Sequence, residues 1–267
     1  MKLNDTAISC RNLQISYEAD PVIHSVDMEV TPGQLVAIIG ENASGKSTLL
    51  RGLARLQKLD DGDVYLRGTR CDELHDREFA RRVAYLPQTP SVVPDMSVRA
   101  LVERGRTPHF PTYAVNGSAV DRVEVDNALE QVGLTASADR SLKILSGGEL
   151  QRAWVAFALV RSPEVLLLDE PTSHLDVRYQ RELMQLLSGL KEKGIAIIVA
   201  MHDISLAIAF ADRVIALDSG KIAFDRFADS ENILEDLGNV LHSKLLSFRT
   251  TEGSLAVVPD WHVDKAP

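Results

Sequence analysis

The sequence predicts an α/β fold with a mostly parallel core sheet and a helical insertion. Three observations carry that reading. Continuous apolar runs of strand length recur at 35–39, 165–168 and 195–201. A run without polar alternation suits a strand covered on both faces, as in a parallel sheet. Helical spacing separates the runs: after Lys46 the leucines fall at Leu49, Leu50, Leu53 and Leu56, and 179–190 reads as a helix. Strand, helix, strand in that order builds right-handed βαβ units.

The remaining elements follow along the chain. Ile8, Cys10, Leu13, Ile15 and Tyr17 are spaced like strand faces, as are Val26, Met28 and Val30. Thr31-Pro32-Gly33 makes a turn before the first apolar run. Past Pro87 the character changes. Val98, Leu101 and Val102, then Val125, Ala128, Leu129 and Val132, keep helical periods with no strand run. The stretch 89–161 therefore reads as a helical insertion between core pieces 1–88 and 162–267, all within one domain. Residues 214–217 and 222–224 flank Asp218-Ser219-Gly220-Lys221, which reads as a hairpin. The segment 227–267 carries no substrate-binding pattern and is expected to be structural.

Composition narrows the function. The 267 residues include 38 acidic and 29 basic side chains, a formal net charge of -9. That balance argues against nucleic acid as a partner. Two cysteines, Cys10 and Cys71, cannot frame a disulfide scaffold and suit a reducing compartment. No stretch approaches the roughly 18 consecutive apolar residues that span a bilayer. Residues 1–6 form no apolar signal segment.

The chemistry begins at Gly40-Glu41-Asn42-Ala43-Ser44-Gly45-Lys46-Ser47, which matches G-x-x-x-x-G-K-[ST]. It lies between an apolar strand and a leucine-periodic helix, the context that the motif requires. Glycines let the backbone approach phosphates without a Cβ clash. The loop N–H groups and the helix N-terminus offer partial positive charge. Gly40, Asn42, Ser44, Gly45, Lys46, Ser47 and Thr48 are thus expected to hold a nucleotide. Lys46 reaches the β and γ phosphates, and the Ser47 hydroxyl binds Mg²⁺. A second site lies where the run 165–168 ends in Asp169-Glu170, at the crevice end of a parallel strand. Asp169 is placed to hold Mg²⁺ and Glu170 to orient or deprotonate a water.

Leu145-Ser146-Gly147-Gly148-Glu149 opens a later helix. Ser146 and Glu149 make an S-x-x-E capping box, and Ser146, Gly147 and Gly148 offer a second anion site at a helix N-terminus. One nucleotide does not need two such sites in one chain. At this point the sequence resembles the ABC (ATP-binding-cassette) ATPases over nearly its whole length, with 145–149 similar to their signature motif. The resemblance implies a P-loop NTPase fold with an N-terminal antiparallel β subdomain. It also implies ATP and Mg²⁺ as ligands, and a head-to-tail dimer in which the signature of one copy caps the ATP on the phosphate loop of the other. By the same resemblance Tyr17 stacks on adenine. Gln88 senses Mg²⁺ and the attacking water and links to the transmembrane partner. Ser173-His174-Leu175-Asp176 crosses the dimer interface, with His174 a bystander. His202, which follows the run 195–201, is the switch histidine that contacts the γ-phosphate. The catalytic set is then Glu170, His202, Gln88 and Lys46, and the metal set Ser47, Gln88 and Asp169. Two positions depart from the family: Ala43 stands where glycine is usual, and Glu41 where proline is common. An alanine methyl is tolerable there unless the position needs a positive φ.

Val102-Glu103-Arg104-Gly105-Arg106-Thr107-Pro108-His109 is similar to the V-x-x-G-R-x-P-H stretch of importer ATPases for iron chelates, haem and cobalamin. Arg104, Arg106 and His109 there would form a positive surface near a permease. The expectation is an ATP-hydrolysing importer subunit for an iron-siderophore, haem or related metal chelate. It would work with a second copy of itself, a separate polytopic permease and, indirectly, a substrate-binding protein, at the cytoplasmic face of the inner membrane. The alternative is an ABC ATPase of a soluble assembly machine, such as iron–sulfur cluster biogenesis. A DNA-repair ATPase of similar core needs a long coiled-coil insert, for which 46–146 leaves no room.

Overall fold

The computed structural model describes residues 5–18, 20–88, 95–110, 119–173, 175–249 and 255–260. His174, and parts of the expected insertion and of the C-terminal segment, lie outside them.

The chain opens with β1 (Ile8–Tyr17) and β2 (Asp20–Val30), paired antiparallel. β3 (Leu35–Ile39) follows, and a loop leads from it into α1 (Lys46–Leu53). β4 (Asp61–Leu66) and β5 (Thr69–Arg70) complete an antiparallel sheet of order β2-β1-β4-β5. α2 (Asp76–Arg82) runs directly into β6 (Val83–Leu86). Then come α3 (Val98–Gly105), α4 (Ala119–Gln131) and α5 (Gly147–Leu159), with no strand between them among the described residues. β7 (Val165–Asp169), α6 (Val177–Glu192), β8 (Ala196–Ala200), α7 (Ile204–Phe210) and β9 (Arg213–Asp218) return to the core. β10 (Lys221–Phe227), α8 (Ile233–Val240), β11 (Leu245–Arg249) and β12 (Leu255–Pro259) end the described chain.

The central sheet has six strands in the order β10-β9-β3-β8-β7-β6. β6, β7, β8, β3 and β9 run parallel, and β10 returns antiparallel through a hairpin. Ser219 and Gly220 both hold positive φ (46° and 75°), as a two-residue hairpin turn whose twist matches its strands demands. β3, β7 and β8 are buried along their whole length, which is why they read as unbroken apolar runs. Alternate β3 residues feed two cores. Leu35, Ala37 and Ile39 face the helices of the insertion together with α6, while Val36 and Ile38 face α1 and the antiparallel sheet. The insertion thus shares its hydrophobic core with one face of the sheet. Each fully buried Leu, Ile or Val contributes roughly 1.5–3 kcal/mol.

The 102–109 stretch is a correction. Gly105 lets α3 press against α5, since a Cβ there would sit 2.4 Å from the Phe157 carbonyl oxygen. The Arg106 guanidinium is buried, donating to Asp121 (2.8 Å) and to the Val160 carbonyl (3.0 Å). The His109 ring meets the Arg161 carbonyl at 3.2 Å. Burial, reinforced by Arg106, lowers the His109 pKa. Of the expected positive surface only Arg104 is exposed; the other two side chains tie the insertion together. At the C-terminus β11 and β12 form a hairpin. Ser205 of α7 clasps it, donating to the Val257 carbonyl (2.7 Å) and accepting from the Val257 N–H (3.0 Å).

Candidate nucleotide site

The loop at 40–47 leaves the carboxyl end of β3 and wraps the N-terminus of α1. Its glycines are set by close approach. A Cβ on Gly40 would lie 2.3 Å from the Leu217 carbonyl oxygen, and Gly45, at φ 103°, abuts Ile23. Ala43 takes φ 63°, so this position does use the left-handed region, and the tolerance expected of an alanine there carries a strain of about 1–2 kcal/mol. The Lys46 ammonium donates to the carbonyls of Gly40 (2.9 Å) and Glu41 (3.0 Å), which holds it across the loop. Burial lowers its pKa, against the opposing pull of Glu170 and Asp169. The Ser44 hydroxyl is buried with no hydrogen-bond partner among the described residues. A buried donor of this kind suits an oxygen-rich ligand seated in the loop.

The carboxyl ends of β7 and β8 supply the rest. Ser47 Oγ donates to Asp169 Oδ1 at 2.8 Å, so α1 and β7 present a hydroxyl and a carboxylate side by side. Two oxygen donors of this kind fit a Mg²⁺ that keeps waters and phosphate oxygens as its other ligands. Tyr85 of β6 donates to Asp169 Oδ2 at 3.1 Å. Glu170 follows at φ 47°, its N–H bonded to the Ala200 carbonyl of β8 (3.0 Å). Its carboxylate accepts from Gln88 Nε2 (2.6 Å) and Ser173 Oγ (3.2 Å), and its Oε1 lies 2.5 Å from His202 Nε2. Lys46, Ser47, Gln88, Asp169, Glu170 and His202, drawn from across the sequence, therefore meet at one end of the sheet. Tyr17 ends β1 and is 39% exposed.

The expected second anion site stands apart. Ser146 caps α5 by accepting from the Glu149 N–H (3.3 Å), while Glu149 Oε2 accepts from the Ser146 N–H (2.9 Å), completing the capping box. A Cβ on Gly148 would strike the Tyr179 ring at 2.5 Å. Among the described residues no hydrogen bond joins 145–148 to the loop at 40–47. Asp176 caps α6 through the Tyr179 N–H (3.0 Å).

A family model described as ABC transporter matches residues 23–173, more than half of the chain. The chain belongs to the ABC transporter family. It is an ATP-binding cassette ATPase. Ferric enterobactin transport ATP-binding protein FepC of Escherichia coli is 40% identical over 79% of this cassette and 78% of its own length. Petrobactin import ATP-binding protein FpuD of Bacillus anthracis is 38% identical over 81% and 79%. Among solved structures, one assigned to a metal-chelate type ABC transporter in an inward-facing conformation superposes with a TM-score of 0.83 at 25% identity, covering 96% of this cassette and 98% of that chain. A dimeric cassette in a post-hydrolysis state, bound to ADP and Pi, matches with a TM-score of 0.71 at 28% identity, covering 84% and 99%. Cassettes of this family bind nucleotide, which agrees with the loop geometry.

Tyr85 escaped the sequence reading as functional, and Ser173 was read as part of the dimer-interface loop rather than as a partner of Glu170. Tyr85 lies inside the stretch that carries Gln88, which was the available signal.

Proposed function

We propose that this cassette is the ATP-hydrolysing subunit of an importer for an iron-siderophore, haem or related metal chelate. It would act as a dimer docked on a separate permease at the cytoplasmic face of the membrane, served by a substrate-binding protein. One observation carries the catalytic part: the Glu170 carboxylate is held on three sides by Gln88, Ser173 and His202. A carboxylate so fixed is oriented as a general base. The attacking water would form a bond to the γ-phosphorus, the bond to the β-phosphate oxygen would break, and Glu170 would take the water's proton. Lys46 and the loop N–H groups would hold the phosphates, and His202 would align Glu170 with the γ-phosphate. Ser47 and Asp169 would hold Mg²⁺, with Gln88 beside it; the ion would supply neutralisation of phosphate charge. The signature at 146–148 would cap the nucleotide of the opposite copy, which accounts for two anion sites in one chain.

The substrate class is supported by the siderophore import and transport relatives and by the 102–109 pattern. Arg106 supports it as part of that pattern, not as a docking charge. Co-expression of the tagged cassette with candidate partners tests this directly. Co-purification with a polytopic permease, and chelate uptake when the pair is reconstituted in vesicles, is the expected result. Co-purification with a soluble scaffold and no permease overturns it in favour of an assembly ATPase.

A further inference from the structure

We propose that Tyr85 is a positioning residue for the metal carboxylate Asp169. This rests on the reading of Asp169 as a Mg²⁺ ligand and adds a residue to that site.

The geometry is a closed set of side chains from three adjacent elements. Tyr85 lies opposite Leu167 in the parallel pairing of β6 and β7. Residues 167 and 169 of a strand point to the same face, so Tyr85 and Asp169 emerge together on the side covered by α1. α1 contributes Ser47 from its first turn. Asp169 is only 2% exposed. Its Oδ1 accepts from Ser47 (2.8 Å) and its Oδ2 from Tyr85 (3.1 Å).

Donor logic fixes the direction of each bond. A carboxylate only accepts, and a phenol carries one proton. Tyr85 therefore donates that proton to Asp169. The consequence is orientational. A carboxylate's terminal torsion is broad, so a single bond from Ser47 leaves the Asp169 plane free to turn. The Tyr85 bond pins the second oxygen, so Oδ1 stays beside the Ser47 hydroxyl, where the metal would sit. Loss of such an outer partner typically costs 10–100-fold in metal affinity.

The test uses the full-length chain with ATP in the Glu170→Gln background, and Mn²⁺ as the probe, its free concentration read by electron paramagnetic resonance. Tyr85→Phe, which deletes only the hydroxyl, is expected to weaken Mn²⁺ binding about tenfold. ATP affinity in excess chelator should stay within about twofold, which also shows that the variant is folded. In the Glu170 chain, the Mg²⁺ concentration for half-maximal turnover should rise while kcat at saturating Mg²⁺ recovers, a split that a purely structural role does not produce. Unchanged Mn²⁺ affinity in Tyr85→Phe, with Asp169→Asn strongly weakened, overturns the proposal alone. Full Mn²⁺ affinity in Asp169→Asn overturns the underlying assignment of Asp169 as well.

Discussion

Glu170 sits at φ 47°, a left-handed conformation that costs an ordinary side chain about 1–2 kcal/mol. Strain of this kind persists where the surroundings over-determine it, and four bonds do so: the backbone to Ala200, and the carboxylate to Gln88, Ser173 and His202. His202 is the partner with a second proposed task, the contact to the γ-phosphate. His202→Ala is therefore expected to lower kcat by at least about a hundredfold and to leave the ATP dissociation constant within a few-fold. Single-turnover kinetics with equilibrium nucleotide binding measures both; an equal loss of binding would reassign His202 to ground-state contact. The cysteines give an independent check at the same scale. Burial pushes the thiols of Cys10 and Cys71 up to about 12. Raised pKa values keep the thiolate, the reactive form, nearly absent at pH 8. A thiol reagent should label the native chain at less than about a tenth of the rate for the unfolded chain. Rapid native labelling of either would contradict its placement in the core.

Among the elements, legibility followed burial. β3, β7 and β8 are covered on both faces and announced themselves as apolar runs; α6 showed its face by period. β4 and β6 did not. β6 has four residues between the basic end of α2 and Pro87, too short for alternation to register. Leu56 continued the leucine spacing of α1 but stands 61% exposed beyond the helix end, because spacing alone does not report where a helix stops. Asp169 and Glu170 were readable as candidates from the buried run that precedes them, and His202 only through the family resemblance. Tyr85 was not, because only the register of two distant segments brings it to Asp169. The insertion shows the converse: a pattern read as surface is structural. Arg106→Met would leave Asp121 facing the buried pocket without its guanidinium, and removing one partner of a buried pair costs about 3–5 kcal/mol. Urea unfolding should show that loss. A change below about 1 kcal/mol would mean that the α3–α4–α5 contact does not depend on this pair.

For the whole molecule, the decisive feature is what one chain leaves incomplete. In the proposed function the loop at 40–47, Asp169, Glu170 and His202 would form one half of a nucleotide site, while the capped N-terminus of α5 would present a second group of donors elsewhere. No helix among the described residues is long and apolar enough to cross a membrane. Closure of two copies around two nucleotides is the motion that would transmit the work. Ser146→Arg places a bulky cation at the capped helix start and should leave ATP binding to the monomer intact while preventing closure. Light scattering of the Glu170→Gln chain with and without ATP tests the central claim most directly. The account predicts that ATP doubles the molecular mass and that Ser146→Arg in the same background abolishes the doubling. A chain that binds ATP yet stays monomeric, or a dimer indifferent to Ser146→Arg, would contradict it.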